Sequence, residues 1–213
     1  MPLVSTLKND AGDGQVLRLR WAIPLAFTAA VFAMYFAKPP ICLGLYIGAV
    51  IYAAFLPAGL LAQWRLSRAF PLAFAAYFLA LIAAGLIAVI PQIGAEFQRL
   101  QRAQAEFFAR AATCPLGTVA VGVQALILAP LVEETLFRGI LFEEVKRKVG
   151  TVAAYLVSSA LFAVLHSPGL GALPIFVISL ALAYAYHKHG LISSVLIHFT
   201  QNFIAFAVAH GGV

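Results

Sequence analysis

Residues 116–142 read LGTVAVGVQALILAPLVEETLFRGILF, and this stretch decides how the rest of the chain is interpreted. It is largely apolar and exceeds the ~20 residues that a helix needs to cross a membrane. Its second half nevertheless contains Glu133, Glu134 and Arg138. An ionisable side chain at the centre of a span costs at least ~2.5–3.5 kcal/mol, so such residues are normally paired and functional. Three of them within six residues indicate a polar site inside a membrane protein.

The composition of the whole chain places it in the same class. Of its 213 residues, 63% are hydrophobic and 10% are charged, whereas a soluble domain averages about 25% charged residues. We therefore predict an all-α polytopic transmembrane bundle of about 7 (6–8) spans, surrounded by lipid and without a sizeable soluble domain. The net charge of +6 is typical of basic cytoplasmic loops, so we expect no nucleic-acid partner.

The hydrophobic pattern divides the chain into four parts. A polar tail, 1–20, precedes three N-terminal spans within 21–91. Residues 92–115 interleave charged and aromatic side chains at a spacing that favours an amphipathic helix on the membrane surface. Residues 116–209 form a core of four further spans. The seven predicted spans are 21–37, 41–62, 70–91, 116–142, 151–166, 170–187 and 190–209.

Basic residues orient this map, because Lys and Arg collect in cytoplasmic loops. With the N-terminus inside, nine lie on the inner side: Lys8, Arg18, Arg20, Arg65, Arg68, Lys146, Arg147, Lys148 and Lys188. Four lie on the outer side: Lys38, Arg99, Arg102 and Arg110. We expect an integral protein of the bacterial inner (plasma) membrane with a cytoplasmic N-terminus and an outer C-terminus. A re-entrant turn within residues 92–115 would reverse the predicted orientation of every span that follows it.

The two cysteines, Cys42 and Cys114, do not have the spacing of a metal site. Both fall near the outer surface in this topology, so a disulfide between them is geometrically conceivable. We expect instead two unpaired, partly buried thiols.

The charged residues of the fourth span differ in their predicted partners. Glu134 and Arg138 are four residues apart and share a helix face, so we expect them to pair and thereby lower the cost of burial. Glu133 lies about 100° around the helix from Glu134 and faces elsewhere. A carboxylate with no cation beside it is a candidate general base. Pro130 lacks an N–H, so a kink is predicted there, with the carbonyl of Leu126 left free.

Polar residues in the later spans follow the same four-residue spacing. His198 and Asn202 share one face, as do Phe162 and His166, with Phe162 expected to pack beside the imidazole. Taken singly, an intramembrane His or Asn is often only an interhelical hydrogen-bonding residue, and the Glu134–Arg138 pair can be purely structural. Their convergence in one half of the chain favours a site. Three histidines lie at span ends and are expected to be interfacial: His187, His189 and His210.

The predicted depths of two site residues disagree. At 1.5 Å per residue, Glu133 lies about 24 Å from the outer end of its span, and His166 about 21 Å from the inner end of the next. In a hydrocarbon core ~30 Å thick these depths do not coincide. Tilt, a kink at Pro130 or a deeper start of the fifth span is required to bring them together.

Three motifs in this order carry a resemblance: Glu133-Glu134-x-x-x-Arg138, Phe162-x-x-x-His166 and His198-x-x-x-Asn202. Together they resemble the CPBP family, also called Abi, of CAAX-processing and bacteriocin-processing intramembrane endopeptidases. The resemblance covers roughly residues 115–207. It implies an eight-helix type of membrane fold with the site in a water-accessible cavity. It also implies cleavage of a membrane-associated peptide or protein substrate, which the sequence leaves open as CAAX-type, a leader peptide or a C-terminal sorting tail.

The resemblance assigns roles to all six site residues, which are here catalytic candidates. Glu133 and His166 activate the attacking water, and His198 with Asn202 holds the oxyanion. The remaining two, Glu134 and Arg138, position Glu133 and balance its charge.

A metal-dependent version of the family's chemistry remains open. In it, Glu133, His166 and His198 are the ligands of a catalytic Zn²⁺. No other cofactor is implied, and the sequence does not choose between the two schemes.

Other classes are less well supported by the residues. There is no H-E-x-x-H of the zinc metalloprotease type, no Gly-x-Ser-Gly of a rhomboid-like serine protease, and no aspartate within a span. Two alternatives of another kind remain: a non-proteolytic immunity or scaffold protein of the same fold, and a small proton-coupled transporter. The transporter is disfavoured because the two halves show no internal repeat.

Overall fold

The computed structural model describes residues 10–167 and 169–211, so residues 1–9 of the predicted tail and the side chain of His210 lie outside it. The described residues form eight helices and no strands, which confirms the all-α prediction. We number the helices α1 Asp10–Ala37, α2 Ile41–Phe55, α3 Pro71–Ile87, α4 Pro91–Ala111, α5 Gly117–Val149, α6 Thr151–His166, α7 Ala172–His189 and α8 Leu191–Gly211.

Several of these helices have the length and composition of membrane spans. In the described part of the chain, three segments meet that test alone: Ile41–Leu61, Gly117–Val149 and Leu191–Ala209. Helices α3 and α4 meet it together but are bent by 118° at the break between them. The protein is therefore an integral membrane protein, whereas the count of seven spans stays a prediction. Helix α4 corresponds to the predicted surface segment, whose position relative to the lipid also stays a prediction.

The boundaries of α5 resolve the conflict of depths. We predicted that this span ends at Phe142, but the helix continues to Val149, and Gly150 turns the chain with a φ of +106° that favours glycine. Glu133 consequently lies about 24 Å before the turn and His166 about 22 Å beyond it, at 1.5 Å per residue. The two side chains reach the same depth because the helical hairpin is longer than its apolar part. No sharp kink is needed.

Helix α5 accommodates Pro130 by widening. Two π-helical segments, Val123–Leu128 and Thr135–Phe142, lie on either side of the short α-helical piece Ala129–Glu134. The backbone N–H of Ala129 donates to the carbonyl of Gln124, five residues back. The next bond in this register would need an N–H on Pro130, so the carbonyl left without a main-chain donor belongs to Ala125. The prediction of Leu126 assumed an α-helical register.

Ionic and backbone contacts gather at one end of the bundle, which we call the Gly150 end. Here Arg20 of α1 lies 3.9 Å from Glu144, and Glu143 accepts a hydrogen bond of 3.0 Å from Tyr186. The N–H of Ser67, before α3, donates to the carbonyl of His189, a residue that is buried within the protein. Several of the basic residues assigned to the inner side therefore lie together.

The opposite end is closed by a covalent link, and we call it the disulfide end. Cys42, at the start of α2, is bonded to Cys114, before α5, with 5.6 Å between the Cα atoms. The prediction of two unpaired thiols is therefore wrong. The connection from α4 to α5 passes beside α2, where Tyr46 donates a hydrogen bond to the carbonyl of Pro115. This return of the chain, which local spacing does not reveal, places the two sulfur atoms within bonding distance.

Candidate active site

The centre of the site is the carboxylate of Glu133, which α5 holds at 3% exposure. Its Oε2 lies 3.6 Å from Nε2 of His166 on α6 and 3.9 Å from Nε2 of His198 on α8. Its Oε1 accepts a hydrogen bond from the hydroxyl of Tyr52 on α2. The fold therefore brings three of the predicted residues together and adds a fourth that the sequence did not indicate.

Both imidazole rings are oriented by hydrogen bonds at Nδ1. In His166 this nitrogen lies 2.8 Å from the carbonyl of Phe162, and in His198 it lies 3.0 Å from Oε1 of Glu134. Both partners can only accept, so each Nδ1 must carry the proton. Each Nε2 therefore points toward Oε2 of Glu133 and is free, in the neutral ring, to act as an acceptor. A water molecule bound there would meet both a carboxylate and an imidazole.

The predicted ion pair forms, and it lies behind the histidines. Arg138 Nη1 is 3.3 Å from Oε1 of Glu134, and both side chains are fully buried. The guanidinium also donates to the hydroxyl of Ser179, at 2.7 Å, and lies 4.4 Å from the ring centroid of Phe162. The positive charge of Arg138 thus neutralises Glu134, which in turn holds His198. Glu133 makes no direct ion pair with Arg138 in the described structure.

Phe162 does more than fill space beside one histidine. Its ring stacks on His166, with 4.4 Å between centroids and 29° between planes, and it meets His198 edge-on at 5.6 Å. The same ring faces Arg138. Because one aromatic plane touches both imidazoles and the guanidinium, Phe162 fixes their relative positions.

Asn202 has a different partner from the one expected. Its Nδ2 donates a hydrogen bond of 2.8 Å to the carbonyl of Ala125, which is the acceptor that Pro130 leaves without a main-chain donor. The residue therefore stabilises the widened turn of α5. Its amide retains a second N–H, and the side chain lines the same cavity as Glu133.

A cavity of about 640 Å³ lies beside these residues, within the helical bundle. Its polar lining includes Glu133, His166, His198 and Asn202, whereas Glu134 and Arg138 lie behind the wall. Further hydroxyls and amides line it: Tyr52, Tyr77, Gln101, Gln104, Gln124 and Gln201. Apart from Glu133 and the two histidines, no ionisable acid or base lines it within the described part of the chain. The remaining surface is aliphatic and aromatic.

Along α5 and α8 the cavity lies on one side of Glu133 and His198. On α5 the lining residues run from Val121 to Glu133, and on α8 they run from His198 to Ala209. In both helices these are the parts nearer the disulfide end, where Phe108 packs in one cluster with Cys114. Along these two helices the cavity therefore extends from Glu133 toward the disulfide end.

Two site residues escaped the sequence analysis because they carry neither charge nor imidazole. Tyr52 contacts Glu133, and Tyr77 of α3 donates a hydrogen bond to the amide oxygen of Gln201. A buried tyrosine hydroxyl normally requires a partner. Tyrosines within otherwise uncharged spans were the signal that could have indicated them.

The donor set fits zinc in its chemistry but not in its placement. Two imidazoles oriented through Nδ1 and one carboxylate are suitable ligands. Ligand atoms around a tetrahedral zinc ion, each about 2.0–2.1 Å from it, lie roughly 3.4 Å apart. Here the carboxylate–imidazole distances are 3.6 and 3.9 Å, and no group of three His, Cys, Asp or Glu side chains that could hold an ion is found among the described residues. We therefore derive no step through a metal.

A buried carboxylate that faces two oriented imidazoles, inside a helical membrane protein, is an arrangement suited to hydrolysis within a membrane. Residues 115–204 match the family model described as Rce1-like, type II CAAX prenyl endopeptidase Rce1-like. This match confirms the resemblance of this segment to the CPBP, or CAAX protease, family. At family level the match supports a CAAX-type intramembrane endopeptidase. No curated protein and no solved structure gives a significant match to the chain. The matched segment contains all six predicted site residues, but Tyr52 lies outside it.

Proposed function

We propose that this protein is an intramembrane endopeptidase in which Glu133, assisted by His166, activates a water molecule for attack on a peptide carbonyl. The observation that carries the proposal is the environment of Glu133 Oε2. This buried oxygen has no hydrogen-bond partner among the described residues, yet two Nε2 atoms face it across 3.6 and 3.9 Å. The arrangement suits a water molecule that is held and deprotonated in the cavity.

The reaction then proceeds in two steps, the addition of the water to the peptide carbonyl and the breaking of the C–N bond. The water gives a proton to Glu133, and its oxygen bonds to the carbonyl carbon of the substrate. The resulting oxyanion is stabilised by Nε2–H of His198 when that ring carries both protons, with Nδ1–H held by Glu134. The second amide N–H of Asn202 is a further donor. The C–N bond breaks as the proton held by Glu133 passes to the leaving amine.

The cavity limits what the substrate can be. Its lining is apolar and amide-rich, and its only ionisable groups in the described structure are those of the reaction. An uncharged, extended peptide segment fits such a surface, because a charged side chain would be buried there without a partner. The five amide side chains can pair with the main-chain groups of such a segment.

The direction of the cavity supports one source of substrate over another. Disulfides persist on the oxidising side of a membrane, and along α5 and α8 the cavity extends toward the end that carries Cys42 and Cys114. We therefore propose that substrates enter from the outer face, as a leader peptide or a C-terminal sorting tail of an exported protein does. A prenylated tail in the cytoplasm would face the Gly150 end.

The experiment is a cleavage assay on the purified protein in liposomes, with an internally quenched library of uncharged peptides. The isosteric change Glu133→Gln removes the base, and we expect a loss of about 10²–10⁴-fold in rate. Glu106→Gln is the matched control, because Glu106 is an exposed glutamate on α4. It should leave the rate unchanged.

Two results would count against the proposal. If neither the wild-type protein nor Glu133→Gln cleaves any peptide, while both unfold at the same temperature, the non-proteolytic alternative gains support. If Glu133→Gln cleaves peptides at the wild-type rate, another residue is the base.

A further inference from the structure

The hydroxyl group nearest to the carboxylate of Glu133 comes from a helix outside the family-matched segment. Tyr52 lies on α2, and its ring meets Phe27 of α1 edge-on with 5.4 Å between centroids. Phe27 is itself fully buried and packs against Phe55 at 5.3 Å. The ring of Tyr52 is therefore fixed by aromatic packing, and its hydroxyl has a defined position.

The hydroxyl of Tyr52 gives the two carboxylate oxygens of Glu133 different roles. Tyr52 donates its O–H to Oε1 of Glu133, while Oε2 faces His166 and His198. The terminal torsion of a glutamate is soft and roughly two-fold, so packing alone does not fix which way the two oxygens point. A charge-assisted hydrogen bond at Oε1 does fix it.

No other group of the described structure takes this role. Arg138, the cation nearest in sequence, is engaged by Glu134 and Ser179. The histidines approach only the other oxygen of Glu133. Without the hydroxyl of Tyr52, the carboxylate would be free to turn, and a water molecule bound to it would lose its alignment with the imidazole.

We propose that Tyr52 is a positioning residue that orients the carboxylate of Glu133 for water activation. The inference rests on the proposed function, since it concerns the same base. It extends the catalytic machinery to α2, so the segment that matches the family is incomplete as an enzyme without the N-terminal helices.

The test is the steady-state kinetics of Tyr52→Phe in the full chain, with a peptide that the wild-type protein cleaves. The variant keeps the ring against Phe27 and removes only the hydroxyl. We expect kcat to fall about 10–100-fold while KM changes less than about threefold, since the lost contact is with the base. A residue that only filled space would not lower kcat while leaving KM and the unfolding temperature unchanged.

Tyr186→Phe is the matched control, because it removes a buried tyrosine hydroxyl that donates to a different carboxylate, Glu143 at the Gly150 end, outside the cavity. Its kcat should stay within about threefold of wild type. The inference is overturned if Tyr52→Phe equals wild type in kcat, or if it loses kcat only in proportion to a lower unfolding temperature. A wild-type protein that cleaves nothing overturns the proposed function as well. An active wild type with an unaffected Tyr52→Phe overturns this inference alone.

Discussion

The C-terminal segment, residues 115–204, and the N-terminal helices α1–α3 differ in what they contribute to one site. The first contains every carboxylate and imidazole of the site and matches a known family. The second contributes aromatic packing, one end of a disulfide and the hydroxyl of Tyr52. The comparison teaches that a motif locates the groups that react, whereas the groups that hold them in place can come from a region with no recognisable pattern.

The largest effect we expect concerns the buried pair of the C-terminal segment. Arg138→Met leaves Glu134 buried with its charge uncompensated, which should lower the free energy of unfolding by about 3–5 kcal/mol. Denaturant titration of the purified protein in mixed micelles measures this value. The double variant Glu134→Leu with Arg138→Met should recover most of the loss, because no buried charge then remains.

Lys146→Met is the control for this experiment. Lys146 and its partner Glu143 are both partly exposed, so the cost should stay below about 1 kcal/mol. If Arg138→Met is as mild as Lys146→Met, the segment that carries the motifs is not stabilised by its ion pair.

The next effect concerns the covalent link of the N-terminal helices to the C-terminal segment. The disulfide joins residues 72 positions apart, and removing it with Cys42→Ser and Cys114→Ser should cost about 2–4 kcal/mol. The same titration tests this, with the reduced wild-type protein as the matched comparison. Equal stability of the oxidised protein, the reduced protein and the double variant would show that the two regions are held together by packing alone.

A smaller effect is expected at the contact between α8 and α5. Asn202→Ala leaves the carbonyl of Ala125 without a donor, at a cost of about 1–3 kcal/mol. Thr200→Ala removes an exposed hydroxyl on the same helix, and we expect a change of no more than about 0.5 kcal/mol. A neutral Asn202→Ala with a large loss of kcat would assign Asn202 to the oxyanion rather than to the backbone.

The smallest effect is expected from metal removal. The distances from Oε2 of Glu133 to the imidazoles exceed those between ligands of one zinc ion, so treatment with a strong chelator should change cleavage by less than about twofold. Loss of activity on chelation, restored by added Zn²⁺, would make Glu133, His166 and His198 ligands. Tyr52 would then orient a ligand instead of a base.

Composition and spacing were sufficient for the fold class and for much of the site. The apolar runs predicted the helices, and the i, i+4 spacing predicted the pair of Glu134 with Arg138. Convergence of Glu133 with His166 and His198 was also predictable, although only as a requirement of the motifs. These features are local, or they depend on costs that a membrane imposes on any charge.

The rest depended on contacts between distant segments. The partner of Asn202 could not be derived because it required the π-helical register of α5, which a one-residue change in hydrogen bonding creates around Pro130. The disulfide required the path of the chain after α4. The contact of Tyr52 with Glu133 depends on the packing of α2 against α5. It could not be predicted because a neutral hydroxyl changes neither the charge pattern nor the hydropathy pattern noticeably.

The burial of α5 limits which of its residues can change in the course of evolution. All side chains from Thr135 to Phe142 are buried, and Arg138 is fixed there by its compensation of Glu134. A descendant that lost peptidase activity could not replace Glu134 or Arg138 alone without leaving a buried charge uncompensated. Glu133 is under a different constraint, since its Oε2 faces the cavity and serves no partner in the described structure. In a lineage that has lost peptidase activity, we therefore expect the first substitutions at Glu133 and His166. The other residues of the motif should be retained because they are packed in the core.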